Sequence, residues 1–393
     1  MFDFKYYTPT EVRFGKDSLS FLKELLEKNN VKKLLIHYGS NRVLENGLMD
    51  DIKKIIDKMD IEYYLLGGVV ANPRLSLVYR GIDLGKKNNI DFILAVGGGS
   101  VIDSSKAIAY GLRNDFDVWE LYKHERKASD CLPIGVILTN AAAGSEMSNS
   151  SVITKEDTND KRSYNDDIAR PRFAIMNPEY TMSLPKYQTM AGLADVMMHT
   201  MERYFTNGGN LELTDELAEG LLRTVKRQAY ILLEDPNNYD ARANLMWASS
   251  LAHNNLTGCG NNGGDFVTHM LEHELSGMFD VTHGAGLTAI WPSWARYVYK
   301  DNLDRFVKYA KNVMDVKEEL SDEDIALEGI KRMEKFYLDI SMPRNLKELG
   351  INPTDLELHE MAKRCIIACG GKKGSAKVLY EEDMYNILKN ALN

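Results

Sequence analysis

The run Ile90–Val96, I-D-F-I-L-A-V, is apolar at every position except Asp91. A strand with so little alternation must be covered on both faces, which calls for a parallel sheet between helical layers. It ends at Gly97-Gly98-Gly99-Ser100, and the following V-I-D-S-S-K-A-I-A-Y reads as helix. The same alternation runs through the first half of the chain. Val31–His37 reads as a strand with the turn Y-G-S-N-R behind it, and Asp50–Met59 as an amphipathic helix. Ile61–Leu66 is a strand closed by Gly67-Gly68, Leu75–Asn88 a helix, and Leu132–Thr139 and Phe173–Met176 are two more strands. Strand and helix in this order predict a doubly covered parallel sheet. Before it, Ser18–Lys28 has helical spacing. The aromatic runs Phe2–Tyr7 and Val12–Phe14, split by Thr8-Pro9-Thr10, read as a leading hairpin or arm.

After Asn177-Pro178 the strand pattern stops. Pro185–Phe205, Thr214–Leu233, Tyr239–Asn255 and Asp265–Met278 all read as helices, with more to the end. A chain of 393 residues exceeds one ordinary core. We therefore expect an α/β dinucleotide-binding domain over 1–180 and an all-helical domain over 181–393. The formal net charge is −9 and basic runs are short, which argues against nucleic acid or an anionic membrane as partner. Four scattered cysteines without a Cys-x-x-Cys pair suit free thiols in a reducing cytoplasm. No leader-like segment opens the sequence, and no apolar run reaches the ~20 residues of a membrane helix.

Two stretches carry chemistry. The triple-glycine turn follows a buried strand and opens a helix, where free N–H groups and a close backbone approach suit a pyrophosphate. Ile102 replaces the third glycine of the usual dinucleotide fingerprint, and a bare tight turn is the alternative. A second small-residue turn, T-N-A-A-A-G-S-E from Thr139 to Glu146, follows the next strand. In the helical half, His269 and His273 are four apart, as are Asp195 and His199, and His283 follows in a short loop ending at Gly284. Helical four-residue spacing puts each pair on one face. A carboxylate with imidazoles from two helices and a loop makes a divalent-metal site with an open position, and one imidazole is left over. Spacing alone does not say which histidine that is.

Taken together, A-N-P-R-L-S at 71–76, D-F-I-L-A-V-G-G-G-S-V-I-D-S at 91–104, Y-D-A-R-A-N-L-M-W-A at 239–248, and T-H-M-L-E-H-E-L-S with D-V-T-H-G-A-G-L resemble the iron-dependent (group III) alcohol dehydrogenases. The butanol dehydrogenase or NADPH-dependent aldehyde reductase branch looks nearest, and the resemblance spans nearly the whole chain. It implies a Rossmann-like domain followed by a helical domain, the plan shared with dehydroquinate synthase. It implies Asp195, His199, His269 and His283 as ligands of Fe²⁺, or Zn²⁺, with His273 not a ligand but beside the nicotinamide and substrate; a neutral imidazole there can relay the proton to water, the alternative being that it orients a ligand or packs. It implies that Gly98, Gly99, Ser100 and Asp103 hold the pyrophosphate, that Thr139, Asn140 and Lys161 line the cofactor, and that Asn72 lies nearby. A homodimer is implied by resemblance only. Where the wider family has Thr-Thr-Ala-Gly-Thr-Gly-Ser-Glu in its second turn, this chain has Asn140, Ala142 and Ala143.

NAD-preferring members place an Asp after the first strand. Here Gly39, Ser40, Asn41 and Arg42 fill that turn, with no acid until Glu45. Arg42 can pair with a 2′-phosphate, so NADP(H) is expected over NAD(H). The expected reaction is hydride transfer between NADP(H) and a primary alcohol or aldehyde such as butanol or butyraldehyde. The alternative is a zinc enzyme of the same scaffold acting on a phosphorylated or polyol substrate, which needs basic residues near the metal. The metal-bearing segments instead show Met197, Met198, Met270, Met278 and Phe279, which are pocket wall or core.

Overall fold

The computed structural model describes residues 1–393 in two compact units, Tyr7–Leu184 and Pro185–Asn393, with Met1–Tyr6 belonging to the second. The first unit is built on six strands: β1 (Glu11–Phe14), β2 (Lys33–Tyr38), β3 (Glu62–Leu66), β4 (Phe92–Gly97), β5 (Ile134–Leu138) and, after a separate hairpin of β6 (Ser150–Lys155) and β7 (Asp160–Asn165), β8 (Phe173–Met176). Their order is β1-β8-β5-β4-β2-β3 and every pairing is parallel. The helices of this unit are α1 (Leu22–Lys28), α2 (Arg42–Glu45), α3 (Leu48–Ile56), α4 (Leu75–Asn88), α5 (Gly99–Arg113) and α6 (Trp119–Tyr122). The expected parallel α/β architecture is present, and the uniformly apolar strand β4 lies inside the sheet, buried along its whole length. Phe92 and Phe173 stack with ring centroids 5.9 Å apart. Gly135 makes room for that stack, since a Cβ there would fall 2.2 Å from the Phe173 ring.

Register places the ligand-binding end. Tyr38 pairs with Val96, and Gly97 with Leu138, so the turns after β2, β4 and β5 leave the sheet side by side. The carboxyl ends of parallel strands are where open sheets of this kind bind ligands.

Two local expectations are corrected. Val12–Phe14 forms no leading hairpin: β1 pairs in parallel with β8, with Val12 opposite Ala174, and residues 1–10 have no regular structure. Pro9 lacks the donor that a hairpin ladder needs. The β6–β7 hairpin was not expected, because S-S-V-I-T-K and D-K-R-S-Y-N look like loop. Its register runs from Ser150 opposite Asn165 to Lys155 opposite Asp160.

The second unit is helical: α7 (Lys186–Tyr204), α8 (Glu212–Glu234), α9 (Tyr239–His253), α10 (Val267–Phe279), α11 (His283–Val298), α12 (Leu303–Asn312), α13 (Asp322–Asp339), α14 (Asp355–Ala368) and α15 (Glu381–Asn390). Helix α7 is buried on every side from Thr189 to Tyr204, as a central helix must be. An aromatic core of Phe205, Phe306, Trp291 and Trp294 lies beyond its end, with Phe205 and Phe306 stacked at 4.3 Å. No helix is long and apolar enough to cross a membrane.

One buried imidazole makes the first unit sensitive to acid. His37 on β2 is fully buried, with Nδ1 2.7 Å from the Leu66 carbonyl and Nε2 2.8 Å from Ser104 Oγ. Burial pushes its pKa down to about 4. The unfolded chain, with a His pKa of about 6.5, takes up its proton first as pH falls. Stability is therefore intact above about pH 6.5 and falls toward pH 4, by about 3 kcal/mol in total. Urea unfolding of the intact chain is expected to give a lower midpoint at pH 5 than at pH 7, and a smaller difference in His37→Gln.

Candidate metal centre and nucleotide turn

Asp195 and His199 sit one turn apart on α7, and His269 lies on α10. The ligand atoms of these three buried residues all lie within 4.8 Å of one another. His199 Nε2 is 3.4 Å, His269 Nε2 3.6 Å and His283 Nε2 3.7 Å from Asp195 Oδ1. Four donors on bonds of about 2.1 Å in a tetrahedron stand about 3.4 Å apart. The spacing of the imidazoles around the carboxylate thus fits one divalent cation. Asp195 Oδ1 and His269 Nε2 are buried with no hydrogen-bond partner, a costly state for polar atoms unless they face a cation.

His283 is the first residue of α11, and the loop expected there is corrected. Gly284, which looked like a terminator, lies within the first turn. A Cβ at Gly284 would fall 2.0 Å from the Ala191 carbonyl oxygen, so glycine lets α11 begin against the backbone of α7. That approach carries His283 to Asp195.

Two fully buried acids, absent from the sequence reading, aim the rings. Glu202 Oε2 bonds His269 Nδ1, and its Oε1 accepts the Thr268 and His269 amides at 2.8 and 3.3 Å. Glu272 Oε2 bonds His283 Nδ1 and its Oε1 accepts Ser276 Oγ. Such braces fix the tautomer, leaving Nε2 to face the site. The spacings His199-x-x-Glu202 and His269-x-x-Glu272 lie within single helices, whereas each acid braces a ring on another helix, so spacing alone does not announce the braces.

Burial, with the neighbouring His253 and His269 rings, holds His199 well below the usual imidazole range. For His269, burial opposes the charged form, yet the Glu202 and Asp195 carboxylates outweigh it and lift the pKa to about 9. Three clustered acids thus demand positive charge, which a divalent cation supplies in place of a proton. His253, also unforeseen, has its ring 4.0 Å from that of His199 and accepts from Arg203 at 3.0 Å. His273 lies buried one turn beyond His269, with its ring 6.0 Å from that of His283. Met197 and Met198 are core, whereas Met270, Met278 and Phe279 are half-buried.

The nucleotide candidates occupy the first unit. Gly98 precedes α5, whose first turn holds Gly99 and Ser100 with no side-chain cap. A Cβ at Gly98 would fall 2.8 Å from that of Asn140, and one at Gly99 3.1 Å from Ala143, so the two small-residue turns lie against each other. Thr139 donates its amide to Gly97 at 3.0 Å, and Asn140 Oδ1 is buried without a partner. Asp103 accepts Ser145 Oγ at 2.5 Å and the Val152 amide at 3.1 Å, which ties α5 to the second turn and the hairpin. Lys161 is buried on β7 opposite Thr154, whose amide donates to Pro73 at 2.8 Å. The unforeseen hairpin therefore carries Lys161 toward the loop of Asn72, itself buried at φ +52°. Gly39 follows β2, Ser40 is exposed, and Arg42 is exposed at the start of α2.

Residues 9–178 match the family model for iron-containing alcohol dehydrogenase, and residues 189–392 match the C-terminal model of the Fe-containing alcohol dehydrogenase family. NADH-dependent butanol dehydrogenase A of Clostridium acetobutylicum is 40% identical, over 100% of both chains. The NADPH-dependent aldehyde reductase YqhD of Escherichia coli is 32% identical over 91% of both. The crystal structure of NADH-dependent butanol dehydrogenase A from Thermotoga maritima superposes with a TM-score of 0.96 at 33% identity, covering 100% of this chain and 99% of that one. A parallel nucleotide-type unit and a helical unit with a three-histidine, one-aspartate cluster define an oxidoreductase of the metal-dependent alcohol dehydrogenase class. The chain belongs to the iron-containing alcohol dehydrogenase family.

Asp195→Ala is expected to abolish metal uptake, read by elemental analysis of dialysed protein, while NADPH binding, read by fluorescence, persists. Glu202→Gln keeps all four donors and is expected to weaken metal affinity by about 10–100-fold.

Proposed function

We propose that the protein interconverts primary alcohols and aldehydes, with butanol and butyraldehyde as representative substrates, and that it uses NADP(H) in preference to NAD(H). The observation that carries the reading is the convergence of His199, His269 and His283 on Asp195 Oδ1 at 3.4–3.7 Å. Asp195 and the three histidines would hold Fe²⁺. Zn²⁺ suits the same donors. Bound there, the cation supplies Lewis acidity to an alcohol or carbonyl oxygen. The nicotinamide supplies or accepts the hydride.

The residues do the rest. Glu202 and Glu272 hold the Nε2 atoms of His269 and His283 toward the centre. His273, a buried imidazole on α10, exchanges the substrate proton with water. Gly98, Gly99 and Ser100 offer free amides to the pyrophosphate, with Thr139 and Asn140 beside them. Lys161 and Asn72 lie along the nucleotide, and Asp103 sits at the pyrophosphate while bracing the turn through Ser145 and Val152.

The choice of NADP(H) rests on the turn after β2. No carboxylate stands between Gly39 and Leu44, and the exposed Arg42 is available to a 2′-phosphate. The names of the relatives from Clostridium acetobutylicum and Thermotoga maritima favour NAD(H) as a second reading. A homodimer is part of the proposal, since β1 ends the sheet with one side unpaired and Phe2, Phe4 and Tyr6 are exposed. Light scattering tests it. We also place the protein in the cytoplasm.

Metal-stripped protein refilled anaerobically with Fe²⁺ or Zn²⁺ is expected to regain NADPH oxidation with butyraldehyde at 340 nm, faster than with NADH. Bound metal and cofactor without turnover of any C2–C6 aldehyde overturns the reading. Arg42→Ala is expected to lower kcat/KM for NADPH by about tenfold or more, the worth of a charge-assisted bond, and to leave NADH little changed. Equal effects on both cofactors would assign the turn to NAD(H).

A further inference from the structure

The three imidazoles at the centre are not held alike. His269 and His283 each bond a buried carboxylate through Nδ1, that of Glu202 and that of Glu272. His199 Nδ1 is buried with no hydrogen-bond partner. A bond through the far nitrogen fixes the plane and tautomer of a ligand ring. Without one, the ring torsion has only a broad preference of its own. Some other contact must set the plane of His199.

Two rings lie against it. One is the ligand His269, with centroids 4.4 Å apart and planes 30° from parallel. The other is His253 of α9, at 4.0 Å and 33°. His253 is itself held. Arg203 donates Nη2 to His253 Nδ1 at 3.0 Å and Nη1 to the His199 carbonyl at 2.7 Å. A guanidinium has only donors, so His253 Nδ1 accepts and the ring keeps its proton on Nε2. One group thus ties the ring that packs on the ligand to the backbone that carries the ligand. Arg203 is buried in its turn, with its guanidinium 5.0 Å from the centroid of the Phe266 ring, and that ring lies 5.9 Å from His269.

We propose that His253 is a positioning residue for His199. Its ring, oriented by Arg203, sets the plane of the ligand ring, and does by packing what Glu202 and Glu272 do by hydrogen bonding for His269 and His283. The assignment rests on the metal centre proposed above and not on the reaction assigned to it. It also makes the donor set uneven. A carboxylate brace raises the basicity of its imidazole, and His199 has a guanidinium nearby instead of a carboxylate. His199 is the ligand held by shape.

The test loads metal-stripped protein with Co²⁺, whose visible absorption reports the geometry of its ligands, and follows release of the ion to a chelator. Two variants separate the ring from its hydrogen bond. His253→Asn keeps an acceptor for Arg203 and removes the ring. It is expected to change the shape of the visible bands and to speed release by about threefold to tenfold, the worth of an aromatic pair. His253→Phe keeps a ring and removes the acceptor, and is expected to restore most of both. Bands and release unmoved in His253→Asn overturn the proposal, and so does a His253→Phe protein as perturbed as His253→Asn. Failure of the unaltered protein to take up Co²⁺ overturns the metal centre and this assignment together. Co²⁺ held as expected in all three proteins, but without turnover of any aldehyde, overturns the proposed reaction and leaves the role of His253 to the bands and the release rates.

Discussion

Buried negative charge is what the helical unit is arranged around. Asp195, Glu202 and Glu272 are all withdrawn from water within the reach of three imidazoles. Acids cannot share so small a volume unless each has a partner and the group has a cation. That condition sets the helix packing. Helix α7 is buried on all sides because it carries two of these acids, and α10 and α11 must come close enough for each to supply a ring. Gly284 against Ala191, and Gly286 against Glu272, where a Cβ would lie 2.9 Å from Cγ, mark where side chains gave way to that approach.

The first unit answers a different demand, to present backbone rather than charge. Its three adjacent turns after β2, β4 and β5 are made of Gly39, Gly98, Gly99, Thr139 and Asn140. The charged groups beneath are tied off: Asp103 to Ser145 and Val152, and Lys106 to four oxygens from Ser145, Ser148 and Ser150. Burial lowers the Lys106 pKa to about 8, against the pull of Asp103 and Glu146. The turns thus present amides and small side chains at the carboxyl end of the sheet, while the ions hold the scaffold behind them.

Much of this was legible from residues. The uniformly apolar Ile90–Val96 predicts an interior parallel strand and is one, and Leu75–Asn88 matches its helix at both ends because its spacing is long and regular. The clustering of Asp195, His199, His269 and His283 follows from helical spacing plus family resemblance, which singled out these four. What escaped depends on partners distant in sequence. Glu202 reads as an ordinary surface acid until His269 is known to face it. The contacts of Asp103 with Ser145 and Val152 join residues more than forty positions apart, which no local pattern announces. The β6–β7 strands are polar, and their pairing partners, not their composition, make them strands. The sequence places His283 in a loop ending at Gly284, whereas His283 opens α11 and Gly284 is needed for contact with Ala191.

The acid braces run between helices, not within them. Glu202 of α7 holds a ring on α10, and Glu272 of α10 holds one on α11. An unfolded chain keeps only the pairs one turn apart, so it has nothing resembling the full donor set. Affinity for the cation is then a property of the packed three-helix arrangement, and by mass action the cation favours that arrangement in return. A cation bound there would therefore stabilise the packed helical unit as well as serve its chemistry.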